Sequence, residues 1–204
     1  MRKIGILAGL VGLAAVSATV ASAQGVDRKG FYGDIGANYS APNQSITNGS
    51  FTDKDTQGGI AYVLGLGWGL NDSWRVGLQV DYMKVTDVFK NDEGPGIDGT
   101  VMFYTVAGTW YPNPKKDIWV RLNLGYGSDK IEFSGASSTA SGFAGGIGVG
   151  YDWLLGKEKA FAVTPYISYM DLFKTGDFGG DLSGEGITGK YAAFQIGVTL
   201  GYKH

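Results

Sequence analysis

Large apolar residues alternate with small or polar ones along most of the chain beyond residue 29. The stretch LGLGWGLNDSWRVGLQVDY (64–82) is typical, because apolar side chains recur at every second position on both sides of a short break. A period of two indicates β-strands that have one apolar face. The pattern predicts eight strands, near 30–40, 59–70, 74–84, 100–111, 118–127, 142–153, 161–172 and 190–203.

The connections between these strands alternate in length. Three are short, at 71–73, 112–117 and 154–160, whereas the other four are long, polar and rich in glycine. Short turns at one end and long loops at the other are typical of membrane barrels. The sequence therefore predicts an all-β fold, an eight-stranded antiparallel up-and-down transmembrane β-barrel.

The two faces of the predicted strands indicate which side meets lipid. Eight strands enclose too little space for so many large apolar side chains, so the apolar face is expected outside. Gly65, Gly67 and Gly69 then face the lumen and leave space for larger side chains. We expect Arg121 and Asp152 to pair directly, since their strands are neighbours; solvated residues along a thin pore are the alternative. The predicted lumen charge network is Asp34, Arg75, Asp81, Arg121 and Asp152.

Aromatic residues gather at both ends of the predicted strands, as in the two girdles of membrane barrels. Pro165 lies inside the seventh strand, where it removes a ladder hydrogen bond, so we expect a bulge or an irregular strand end there. The predicted girdles are Trp68, Trp74, Trp110 and Trp153 at the short turns, and Tyr39, Tyr82, Tyr126 and Tyr169 at the long loops.

The first 23 residues have the features of an export signal. Arg2 and Lys3 precede an apolar run, and Ala21-Ser22-Ala23 offers a cleavage site. We expect a signal peptide at 1–23, a barrel domain at 24–204 and an outer-membrane location reached through the periplasm; a retained membrane helix is the alternative. Cleavage changes the net charge from −2 to −4, which argues against generic nucleic-acid binding, and the absence of cysteine excludes disulfides.

The chain resembles the small eight-stranded outer-membrane barrels of Gram-negative bacteria, which include the transmembrane domain of outer membrane protein A, OmpX-like proteins and opacity-type surface antigens. The resemblance rests on the export signal, the LNDSW turn and the chain end QIGVTLGYKH. It implies that Gln195, Gly197, Leu200 and Tyr202 form the signal for the barrel-assembly machinery. Such signals most often end on the aromatic residue, whereas Lys203 and His204 follow it here.

Some barrels of this kind are enzymes that act on lipid A with a histidine beside a serine or an acid. The single histidine of this chain is the terminal His204, so we expect no enzyme, and no cofactor or metal site. Two functions stay open: a structural or surface-interaction role through the long loops, and a narrow porin-like channel. The expected partners are outer-membrane lipid, lipopolysaccharide and the assembly machinery, with a monomeric barrel and no nucleic acid.

Overall fold

The structure is a computed structural model that describes residues 27–48, 51–55, 58–88, 97–133, 136–156, 158–173, 179–180 and 187–203. The predicted export signal and His204 lie outside the described residues. In the described part of the chain, no helix is long and apolar enough to cross a membrane.

The strands close into an eight-stranded antiparallel barrel in which neighbours along the chain are neighbours in the wall. The barrel closes where β1 pairs with β11, and the sixth wall strand is divided into β7 and β8, which both pair with β9. The fold prediction is confirmed. The strands are β1 (Gly30–Asn48), β2 (Phe51–Asp55), β3 (Gly59–Asn71), β4 (Trp74–Val88), β5 (Ile97–Trp110), β6 (Ile118–Phe133), β7 (Ala136–Tyr151), β8 (Trp153–Leu155), β9 (Phe161–Leu172), β10 (Gly179–Gly180) and β11 (Ile187–Lys203).

Large apolar side chains cover the outside of the barrel, as the alternation predicted. Leu78 in the middle of β4 is 67% exposed, and Leu66 beside it on β3 is also exposed. Among the described residues, no charged side chain lies on the outer face between the predicted aromatic positions at the two strand ends. The lumen-side glycines are crowded, since a Cβ at Gly65 would meet the Asp34 carboxylate.

The strands run further on the long-loop side than the sequence predicted. β1 continues to Asn48, β6 continues to Phe133, and β7 begins at Ala136. The predicted strand ends were wrong there because the two faces of the strands exchange their character. In this loop-side extension Lys84 and Lys130 point outward, while Val85 is buried inside.

Pro165 interrupts the wall without shifting its register. Gly150 of β7 pairs with Tyr166, and Trp153 of β8 pairs with Val163, so both ladders share one register. The ladder is broken at the two residues between them, opposite Pro165, which has no N–H to donate. The irregularity expected at Pro165 is therefore an interruption of the ladder that keeps its register.

Candidate functional site: a filled lumen

The segment before β1 folds across the short-turn end of the barrel. Gly30 has a φ of 97°, a left-handed conformation that suits glycine, and it turns the chain inward. The segment then passes so close to Gly69 that a Cβ there would overlap the Arg28 carbonyl oxygen. This close approach places the Arg28 side chain inside the mouth of the barrel, where it is 1% exposed.

Arg28 connects two short turns through hydrogen bonds. Its guanidinium donates to the carboxylate of Asp117 at 2.8 Å and to the carbonyl oxygens of Asp72 at 3.2 Å, Pro114 at 2.8 Å and Lys116 at 3.2 Å. Burial raises the pKa of the Asp117 carboxyl above its ordinary value, although the positive charge of Arg28 opposes this rise. We call Arg28 and these partners the seal.

Stacked aromatic and cationic groups connect the seal to the lumen. The Arg28 guanidinium lies 3.9 Å from the centre of the Tyr111 ring, and the Arg75 guanidinium lies 5.2 Å from the same centre. Arg75 is also 5.2 Å from the ring centre of Tyr32. Cations within about 6 Å of a ring centre are attracted by its negative face, so these four side chains form a continuous column.

Asp152 is the main acceptor below this column. Its carboxylate accepts hydrogen bonds from the Tyr111 hydroxyl at 2.6 Å, the Trp119 indole at 2.9 Å and the Thr164 hydroxyl at 2.9 Å. The Arg75 guanidinium is 3.6 Å from its Oδ2 atom. The buried carboxylate is thus held by three donors and one cation, as buried charges require.

A second set of contacts surrounds Arg121. Its guanidinium lies 3.7 Å from Asp34 and donates to Thr109 and to Gln79, each at 3.0 Å. Gln79 in turn donates to Asp81 at 2.7 Å. All five predicted charged residues therefore line the lumen, and Gln79 connects Arg121 to Asp81.

The predicted direct pair between Arg121 and Asp152 is wrong. The ion pairs join Arg121 to Asp34 and Arg75 to Asp152. On the β6–β7 ladder, Arg121 lies opposite Gly148, four residues from Asp152 along its strand. At about 3.3 Å per residue that offset is roughly 13 Å, so adjacent strands do not place these residues side by side.

A small cavity of about 30 Å³ borders both ion pairs, with Asp34, Arg75, Arg121 and Asp152 in its lining. One water needs about 10–15 Å³ on this measure, so the space fits roughly two waters. The cavity can therefore hold water beside the two ion pairs.

The loop-side half of the lumen is filled by apolar side chains. The Phe103 and Tyr191 rings are 5.8 Å apart, and the Tyr191 hydroxyl contacts the Met83 sulfur at 3.6 Å. Sequence reasoning missed this cluster, although its members occupy lumen-side positions of the alternation. We call it the loop-end cluster: Ala61, Met83, Val85, Val101, Phe103, Ala144, Met170, Leu172, Tyr191 and Ala193.

Comparison with solved structures gives the wider context for this geometry. The crystal structure of Neisserial surface protein A matches with a TM-score of 0.58 and 12% identity, over 85% of this chain and 97% of that one. Outer membrane protein AlkL, solved in lipid bilayers by solid-state NMR, matches with a TM-score of 0.54 and 10% identity, over 91% and 94%. This chain has the fold of the small outer-membrane barrels.

The attachment invasion locus protein Ail of Yersinia pestis matches this outer-membrane barrel fold with a TM-score of 0.50 and 15% identity, over 85% of this chain and 99% of that one. No protein-family model matches the chain, and no curated protein matches it either. The similarity therefore concerns the architecture, and the chemistry must be argued from this chain's own residues.

In this fold, the residues of the proposed assembly signal lie on both faces of β11. Gln195 and Gly197 face the lumen, where the Ser168 hydroxyl donates to Gln195 at 2.9 Å, whereas Leu200 and Tyr202 are exposed outside. Their role in assembly stays a prediction.

The predicted girdle residues also lie on the outer face. The Trp74 and Trp110 rings stack with centres 6.1 Å apart. Trp153 is partly exposed and contacts Tyr151 edge-on at 6.3 Å. The remaining positions, Trp68, Tyr39, Tyr82, Tyr126 and Tyr169, are exposed.

Several lumen residues were not found from the sequence. Arg28 precedes the first strand, and Tyr111 and Asp117 flank a turn, so no alternation marks them. Trp119 is the exception, because it occupies a lumen-side position of β6, next to exposed Ile118. Within the described ranges, no group of three His, Cys, Asp or Glu side chains is placed to hold a metal ion.

Proposed function

We propose that this protein is an outer-membrane barrel with a closed lumen, which serves the envelope as a structural or surface-interaction protein rather than as a channel or an enzyme. The observation that carries the proposal is the filling of the lumen at three levels. The Arg28 seal occupies the short-turn end, the charge network the middle, and the loop-end cluster the opposite half.

The outer surface supports the membrane location. An uncharged apolar band separates two rows of exposed aromatic residues, which is the arrangement that a bilayer stabilises. In water, a continuous apolar belt of this kind would promote aggregation. Residues 1–23 would supply the export signal, so the mature protein should begin at Gln24, which N-terminal sequencing of outer-membrane material tests.

The loop-side extension supports a role at the cell surface. β4, β5, β6 and β7 continue as paired strands beyond the loop-side aromatic residues, and they carry polar side chains outside. Inside, apolar side chains such as Val85, Val101 and Ile131 are buried together with the polar Asp129 and Ser138. This hydrogen-bonded wall presents a fixed polar surface. A fixed surface binds partners at a lower entropic cost than free loops do.

Planar-bilayer recording tests the closed lumen. The wild-type protein should insert without a steady conductance, whereas a general porin in the same bilayer shows that pores are detected. A large and steady wild-type conductance would refute the proposal and favour the channel. Insertion itself is checked by membrane fractionation and by the change in gel mobility on boiling in detergent.

A further inference from the structure

The cavity beside the two ion pairs extends to the short-turn mouth of the barrel. Beyond the ion pairs, it is lined by residues of the β8–β9 turn and of the end of β11. The Arg28 seal uses the other two short turns, so the cavity is a separate part of the mouth. We call it the mouth cavity, and its charged lining consists of Asp34, Arg75, Arg121, Asp152, Lys159 and Lys203.

This charged lining carries an excess of positive charge. Its four basic and two acidic residues give a formal charge of +2. The two arginines are balanced by their ion pairs with Asp34 and Asp152. The excess therefore comes from the two lysines at the mouth. A partly enclosed space whose walls carry charges of one sign raises the local concentration of ions of the opposite sign.

Lys203 forms no ion pair with the residues that the structure describes. It follows the outward-facing Tyr202 at the end of β11, outside the membrane-spanning part, and its backbone N–H donates to the Ala160 carbonyl oxygen at 2.8 Å. Burial lowers the pKa of its ammonium group below the ordinary value, and Arg75 adds to this effect while Asp27 opposes it. An anion between Lys203 and Arg75 would stabilise both charges.

Arg75 supplies a buried donor to the same cavity. Its Nη1 atom lies 3.6 Å from Asp152, whereas its Nε–H group has no hydrogen-bond partner. A buried N–H group without an acceptor is unfavourable, so a ligand that accepts from it is stabilised. Thr199, which is 6% exposed, adds a hydroxyl group to the lining. Guanidinium and ammonium groups donate and do not accept, so these groups select an anion.

The size of the mouth cavity restricts the ligand to a small anion. The cavity holds roughly two waters, and a chloride ion is only slightly larger than one water molecule. Asp34 Oδ1 is a buried acceptor of the lining that has no donor. A water beside it can donate one hydrogen to this oxygen and the other to the anion. One chloride and one water therefore satisfy the donors and the acceptor together.

Gly201 keeps the space beside Lys203 open. A Cβ at the lumen glycines Gly65 and Gly69 would overlap neighbouring atoms, whereas a Cβ at Gly201 would meet none closer than 3.7 Å. Crowding therefore does not require glycine at this position. A large side chain at residue 201 would enter the mouth cavity, which makes the position suitable for a test.

We propose that the mouth cavity binds a small monovalent anion, chloride, between Arg75 and Lys203. The anion accepts from Arg75 Nε and from the Lys203 ammonium group, so it joins β4 to the end of β11. Because β11 closes the barrel against β1, chloride binding makes the stability of the closed barrel depend on chloride. The inference goes beyond the proposed envelope function and does not rest on a role at the cell surface.

Urea unfolding in phosphatidylcholine vesicles tests the proposal when chloride is replaced stepwise by gluconate at constant ionic strength. Gluconate is too large for the mouth cavity and serves as the non-binding anion. At a chloride concentration about ten times the dissociation constant, the ratio of folded to unfolded wild-type protein should be about elevenfold higher than in gluconate. Chloride NMR measures the binding directly, since exchange with a bound site broadens the line.

Two variants should lose the chloride response. Lys203→Gln removes the charge, and Gly201→Leu fills the cavity while it keeps the charge. Lys203→Arg should retain binding. Lys115→Gln removes a charge from an exposed turn and should respond like wild type, which controls for general salt effects. Lys203→Met and Gly201→Val replace any variant that does not fold, as judged by gel mobility before boiling.

Equal stability of the wild type in gluconate and chloride would overturn the proposal, as would chloride spectra without broadening. An equal chloride response in wild type and in either Lys203→Gln or Gly201→Leu would also overturn it, because the anion would then bind elsewhere. A chloride response together with a steady conductance would contradict only the closed lumen. A barrel that neither conducts nor responds to chloride would contradict only this inference.

Discussion

Replacing Arg28 with alanine should destabilise the barrel by about 3–5 kcal/mol, the range measured when one partner of a buried ion pair is removed. The guanidinium is almost fully buried and is 2.8 Å from the Asp117 carboxylate, which would be left without its cation. Three turn carbonyls would also lose a donor, but these lie at the barrel mouth where water can replace it. The charge of Asp117 therefore dominates the expected loss.

The pH dependence of this loss follows from the pKa of Asp117. Burial already raises that pKa in the folded protein, and removal of Arg28 should raise it further. The folded variant then takes up a proton more readily than the unfolded chain, so its stability falls as pH rises through this range. The difference from wild type should be largest near neutral pH and should shrink in mildly acidic buffer.

Urea unfolding in lipid vesicles, followed by tryptophan fluorescence, measures these free energies. The exposed neighbour Lys29 is the matched control, and Lys29→Ala should change stability by less than about 0.5 kcal/mol. Adding Asp117→Ala to Arg28→Ala should recover part of the loss. Equal stability of Arg28→Ala and Lys29→Ala, or strict additivity of the two seal substitutions, would refute the reasoning.

Three further tests address other parts of the structure. In the same urea assay, Gly69→Ala should destabilise the barrel because the added Cβ would displace the Arg28 backbone, and it should add little further loss to Arg28→Ala. Gly108→Ala is the control and should be neutral, since no atom lies within 4 Å of its added Cβ. Leu78→Arg should reduce the stability of the barrel in vesicles by about 2–4 kcal/mol, the cost of a charge at mid-bilayer. Glu158→Arg on an exposed turn should have no such effect. Equal losses for the two variants would reject the assignment of Leu78 to the lipid-facing side. Double-mutant cycles in urea should give larger coupling energies for Arg121 with Asp34 and for Arg75 with Asp152 than for Arg121 with Asp152, and the reverse order would reject the network.

The sequence predicted the membrane-facing part of this fold because lipid imposes a simple rule there. Every outward position must be apolar, so strands such as β3 and β4 show alternation that needs no tertiary information. The lumen was less predictable. Arg121 and Asp152 both lie inside as expected, but their relative height depends on a ladder register that a single sequence does not specify.

The seal and the loop-end cluster show two other limits of sequence reasoning. Arg28 is one basic residue in a short segment before a strand, and its partners come from turns 44 to 89 residues away. No local pattern identifies such contacts. The loop-end cluster was missed for a different reason, since its residues alternate regularly but with the apolar face on the inside.

The inversion of the faces marks the membrane boundary on the barrel itself. Along β4 the outer face runs from Trp74 through Leu78 to Tyr82, a span of nine residues, and this agrees with the ~9–11 residues that a tilted strand needs to cross a bilayer. The next outward residue is Lys84, and its inward neighbours Met83 and Val85 are buried. The β4–β5 ladder keeps its register through Lys84 and Val85, and it shifts only between Val85 and Val88. The side chains therefore change before the backbone does, and this change places Lys84 at the first outward position beyond the apolar band.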